Sequence, residues 1–138
     1  MATIYLALYK GKGELVDKAI RFFTKGRYSH CELAIAKKDG FLSYSSSPRD
    51  NGVRCKFIKK FDRLKWDLVA LENVTEQQIL DYFQQTKGKK YDWLGAIGVC
   101  LGLSQNRNRY FCSEWCFNVI FGSDEGWRFS PNQLSALV

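Results

Sequence analysis

Between residues 28 and 71 the chain repeats one pattern four times, and this repetition limits the possible folds more than any other feature. Short runs of β-branched, aromatic and small residues cover 28–36, 41–46, 53–58 and 66–71. Lys37-Lys38-Asp39-Gly40 and Ser47-Pro48-Arg49-Asp50-Asn51-Gly52 separate the first three runs. Gly, Pro, Asn and Asp at such points supply the dihedrals and local hydrogen bonds of tight reversals. Strands joined by short reversals pair antiparallel. A further apolar run at 3–9, closed by Lys10-Gly11-Lys12-Gly13, adds a strand.

The remaining segments carry a helical period. Residues 14–24 place Leu15, Ala19, Phe22 and Phe23 on one face. Thr75-Glu76-Gln77-Gln78 forms a capping box that opens a helix to about Thr86, with Ile79, Leu80 and Phe83 inward. Tyr91-Asp92-Trp93 opens a helical stretch to about Leu103, and 104–108 is a polar loop. Cys112, Trp115, Cys116, Val119 and Ile120 fall at i, i+3, i+4, i+7 and i+8, a helix buried along one face. Ser130 followed by Pro131 starts a short closing helix. The expectation is an α+β domain of 138 residues, with an antiparallel sheet of about five strands packed by helices.

The helix that begins at Cys112 bears on chemistry as well as packing. A thiol in a first helical turn lies near unpaired N–H groups and the positive end of the macrodipole, and both favour the reactive thiolate. The chain has one histidine, His30, at the start of the 28–36 strand. Alternation points His30, Glu32 and Ala34 one way and Cys31, Leu33 and Ile35 the other. A helix-start cysteine and a strand-start histidine suffice for thiol catalysis, Cys112 as nucleophile and His30 as general base. An imidazole in that role needs a partner on its second nitrogen. Glu32 on the same face and Ser43 or Ser45 on the next strand are the candidates. The N–H of Cys112 is the natural oxyanion donor, with Tyr91 or a further N–H as the second. Glu114 in the first turn and Cys116 one turn on read as structural.

Charge and cysteine usage bound the setting. Lys and Arg number 21 against 14 acids, a formal net charge of +7. This favours an anionic partner such as nucleic acid, an acidic membrane face or a cell-wall polymer. The basic residues are dispersed over loops and element ends, and the 21 aromatics (10 Phe, 7 Tyr and 4 Trp) lie mostly at core-periodic positions. No stacking platform for single-stranded nucleic acid can be read from them. Five cysteines without a secretion signal point to a reducing, cytoplasmic compartment. The apolar run at 93–103 is too short to span a bilayer, which takes about 20 residues. Cys31 faces away from His30 and no Cys-x-x-Cys pair occurs, so no metal site is expected. No cofactor is needed for the chemistry.

Four stretches resemble the circularly permuted NlpC/P60 papain-like hydrolases, which include the YiiX-like proteins and, more distantly, the lecithin:retinol acyltransferase group. They are Tyr28-Ser29-His30-Cys31-Glu32-Leu33, the GKKYDW of residues 88–93, Phe111-Cys112-Ser113-Glu114 and Ser130-Pro131-Asn132-Gln133-Leu134. The histidine precedes the cysteine, as the permuted order requires. The resemblance implies a permuted papain-like fold, Cys112 as nucleophile and His30 as base. It also implies an amide, thioester or ester substrate in a cell-wall peptide, protein or lipid. The family's third catalytic residue is polar and often lies on the next strand. Here that strand offers Ser43 and Ser45 but no acid, or else the role passes to Glu32. The segment SSSPRDNGVR at 45–54 is similar to that of small phage-encoded members, which would place the protein in a host cytoplasm. The alternative expectation is a non-catalytic binding module on the same fold, using its basic surface.

Overall fold

The computed structural model describes residues 2–13, 15–24, 26–92 and 109–138. Five strands form one sheet: β1 (Ile4–Tyr9), β2 (His30–Lys37), β3 (Gly40–Ser47), β4 (Gly52–Ile58) and β5 (Trp66–Leu71). Their order is β4-β3-β2-β1-β5, and every neighbouring pair is antiparallel. The hairpin turns lie where the Gly, Asp and Asn clusters place them. Gly52 takes φ +140, and a Cβ there would stand 2.0 Å from the carbonyl oxygen of Lys89. Only glycine lets the backbone at Lys89 approach this closely.

One face of the sheet carries the main core. Leu6 and Leu8 of β1, Cys31, Leu33 and Ile35 of β2, Tyr44 of β3 and Val53 of β4 are buried there. Helices α2 (Glu76–Thr86), through Ile79, and α3 (Cys112–Phe121), through Trp115, Cys116 and Val119, contribute to it, as does Leu134 near the C-terminus. The other face buries Ala7 and Ala34 under Phe61. The α2 capping box forms, with Thr75 Oγ1 accepting from Gln78 N–H and Gln78 Oε1 from Thr75 N–H. α3 ends at Gly122 in the left-handed conformation. A 3₁₀ turn (Gly126–Arg128) follows, and α4 (Pro131–Leu137) closes the chain with Ser130 as its N-cap.

Two expectations need correction. α1 (Leu15–Thr24) leaves Phe22 77% exposed, whereas Asp17 and Ile20 are buried. Phe22 is two residues, about 200°, around the helix from Ile20, and Asp17 is drawn inward by a 2.8 Å hydrogen bond from Ser29 Oγ. The side chains of Leu15, Ala19 and Phe23 lie outside the described residues. Tyr91 does not open a helix. It belongs to β6 (Lys90–Tyr91), which pairs in parallel with β7 (Arg109–Tyr110). The preceding backbone is held extended against β4 by Val53 N–H to Lys89 O (2.8 Å) and Gly88 N–H to Val53 O (3.2 Å). The rest of the expected helix to Leu103, and the polar loop after it, lie outside the described residues.

Candidate active site

α3 starts over the beginning of β2, and several polar contacts fix its start. Ser46 Oγ donates to Tyr110 O, as does Asp92 N–H, at 2.5 and 3.0 Å. Ser113 Oγ donates to Phe129 O at 2.7 Å. The approach to β2 is held from the far end of the chain: Asn132 accepts from Tyr28 N–H and donates to Tyr28 O, both at 2.9 Å. Two of the four motif stretches, more than a hundred residues apart, therefore position His30 together.

Cys112 is the first residue of α3 and is 2% exposed. The N-cap residue, Phe111, offers no side-chain acceptor to the first turn. Burial opposes ionisation of Cys112. A hydrogen bond from the Cys31 thiol, together with the charge and hydrogen bonding of His30, outweighs it and holds Cys112 well below the ordinary thiol range. The partner group moves the opposite way. Burial lowers His30, but the Cys112 thiolate and Glu32 raise it to about 10. Both shifts favour the thiolate–imidazolium form of the pair.

Glu32 completes a chain of contacts. His30 Nε2–H donates to Glu32 Oε2 at 2.9 Å. Glu32 is buried, which disfavours its charge, yet His30 and Arg54 hold it well below the usual carboxylate range. Arg54 grips both carboxylate oxygens, at 3.0 and 2.6 Å, and Ser43 Oγ donates to Oε1. Bidentate pairing of this kind fixes orientation as well as charge.

Of the sequence candidates, Cys112, His30 and Glu32 are brought together. Ser45 is not: its hydroxyl donates to Cys31 O at 2.7 Å and braces β2 against β3. Tyr91 is fully buried within charge range of Cys112, and burial raises its phenol well above 10, so it remains an O–H donor. Two contributors were not identified from sequence. Cys31 leaves β2 on the core face, yet its thiol reaches Cys112 because the helix start lies over the beginning of that strand. Arg54 sits opposite Ser45 and crosses β3 over small serine side chains to reach Glu32. Its signal was indirect: an acid in an otherwise apolar strand requires a buried cation. Among the described residues no group of His, Cys, Asp and Glu is arranged to hold a metal ion, and no helix is long and apolar enough to cross a membrane.

A cavity of about 130 Å³ opens beside His30, between the start of β5 and the turn joining β3 to β4. His30, Glu32 and Arg54 line it, together with Tyr9, Trp66 and Arg49; Cys112 is not part of the lining.

Glu114 makes a separate, structural contribution. Its Oε1 accepts from Phe111 N–H at 3.3 Å, and burial pushes its carboxyl up to about 8, with Asp92 adding to the rise and the Phe111 N–H opposing it. Between about 4.5 and 8 the folded protein keeps a proton that the unfolded chain has released. Stability therefore falls as pH rises through that window. In Glu114→Gln this component should vanish, flattening the unfolding free energy from urea denaturation against pH by an amount on the order of a few kcal/mol. An unchanged profile would mean that Glu114 ionises freely.

In comparisons with known proteins, no family matches the chain, and no curated protein matches it.

Proposed function

We propose that this protein is a thiol-dependent hydrolase or acyltransferase on a permuted papain-like fold, acting on an amide, thioester or ester bond. The carrying observation is the contiguous series from the Cys112 thiol to the His30 imidazole to the Glu32 carboxylate, with Arg54 locking the last. The antiparallel sheet, with a cysteine-headed helix laid over the histidine strand, supports the fold assignment.

In the reaction the Cys112 thiolate attacks the carbonyl carbon and forms the C–S bond, and the carbonyl π pair moves to oxygen. The Cys112 N–H and the Tyr91 hydroxyl are assigned as donors to that oxygen. Collapse expels the leaving group, which takes the proton of the His30 imidazolium. Neutral His30 then removes a proton from water or an acceptor amine as it attacks the acyl-enzyme, and the thiolate departs. Glu32 holds the ring in one orientation throughout. No cofactor enters this scheme.

The test is site-resolved alkylation against pH, read by mass spectrometry. At pH 6 Cys112 should react roughly 10²-fold faster than an ordinary thiol with a pKa of about 8.5, and the advantage should disappear in His30→Ala. Titration of Cys112 like an ordinary thiol would overturn the assignment. One observation favours a second reading, a binding module that retains the site as a remnant: Cys112 is only 2% exposed. That reading expects inert Cys112 and salt-sensitive retention on an anionic matrix.

A further inference from the structure

The cavity beside His30 has a chemical bias. Tyr9 and Trp66 form one wall, their ring centroids 5.0 Å apart. Its charged lining comprises Arg49, Arg54 and Lys56 against Glu32 and Asp50, in addition to His30. Both carboxylates are engaged by Arg54, which meets Glu32 through its terminal nitrogens and Asp50 through Nε at 2.8 Å. Lys56 approaches Asp50 at 3.5 Å, with a side chain 52% exposed.

Arg49 stands apart from this network. It lies over the Tyr9 ring at 5.6 Å and pairs with Asp17 at 3.9 Å, beyond hydrogen-bonding distance. Its side chain is 55% exposed, whereas that of Asp17 is 9% exposed and accepts from Ser29. The guanidinium thus retains donors toward the cavity, held over an aromatic surface that suits it. The volume is below the roughly 300 Å³ at which sites for drug-sized ligands begin, and it fits a short side chain better than a long acyl chain.

We propose that this cavity is a specificity subsite that accepts a short substrate group ending in a carboxylate, paired with Arg49 and supported by Lys56, with its apolar part on Tyr9 and Trp66. The inference rests on the proposed thiol chemistry and names its substrate class: acyl compounds with a carboxylate close to the scissile carbonyl.

Two alkylating agents of nearly equal size test it: iodoacetate, which carries the carboxylate, and iodoacetamide, which does not. The readout is the ratio of their rates at Cys112 at low ionic strength, referred to the same ratio for glutathione. The wild-type ratio should exceed the reference about tenfold, and Arg49→Gln should lower it about 3- to 10-fold, with Lys56→Gln having a smaller effect. Comparing variants separates Arg49 from the constant charge of His30. Suppose Cys112 reacts fast with iodoacetamide but the ratio is the same in wild type and both variants. The subsite is then overturned while the proposed thiol chemistry stands. Failure of Cys112 to react with either agent overturns both.

Discussion

Arg54→Met is expected to lower the free energy of unfolding by about 3–5 kcal/mol at pH 7. The reason is less the loss of an ion pair than the carboxylate left behind. Glu32 is 3% exposed and accepts from Arg54, Ser43 and His30. Without Arg54 the buried charge keeps a single cation, His30, whose own charge is shared with the Cys112 thiolate. Asp50 loses its 2.8 Å partner as well. Urea denaturation measures the effect, and a loss under about 1 kcal/mol would show that water or Lys56 takes over from Arg54. The double variant Glu32→Leu/Arg54→Met should regain most of the stability, because removing both ions also removes the penalty for burying them. Its Cys112 should nonetheless alkylate more slowly at pH 6 than in the wild type, since the imidazolium has lost the carboxylate that stabilises it. Stability and thiol reactivity would then separate, identifying Glu32 as a positioning residue rather than a fold-stabilising one.

Trp115→Ala should be about as damaging, at roughly 3–5 kcal/mol. Trp115 is fully buried, one turn after Cys112. Its indole N–H donates to Thr86 Oγ1 at 2.8 Å, and its ring meets Tyr82 at a centroid distance of 5.6 Å. It thereby joins α3 to α2 as both pack on the sheet. Truncation opens a cavity at that junction and removes the donor to Thr86. Trp115→Phe keeps most of the volume and should cost about 1–2 kcal/mol, chiefly the hydrogen bond. Similar losses for the two variants would show that the hydrogen bond, and not the packing, dominates. Because α3 positions Cys112, the alanine variant should also lose the preferential alkylation, whereas the phenylalanine variant should keep it.

Much of this architecture is legible in the chain because it rests on local rules. Turn residues at 37–40 and 47–52 fix the hairpins, and the antiparallel sheet follows from them. Thr75 and Ser130 mark helix starts through their own capping bonds. The start of α3 at Cys112 follows from the apolar spacing, and the alternation of β2 assigns Cys31 and Glu32 to opposite faces without any knowledge of their neighbours. Phe22 was misplaced because a local moment cannot anticipate that Ser29 will draw Asp17 inward.

The sequence by itself determined the five strands of the sheet, the helices that start at Glu76, Cys112 and Pro131, the helix-start thiol and the strand-start imidazole. Each depends on residues within a few positions of one another. Only the tertiary structure decided which groups meet. Arg54 reaches Glu32 across an intervening strand, Asn132 braces Tyr28 from 104 residues away, and Cys31 touches Cys112 from the face opposite to Glu32. Tyr91 is extended rather than helical because β4 holds the backbone just before it. Ser45 lacks a place beside His30 because a nearer carbonyl claims its hydroxyl. Hydrogen bonds and ion pairs act over about 3 Å, so their partners are fixed by strand order and by the position of a helix on the sheet, neither of which local periodicity encodes.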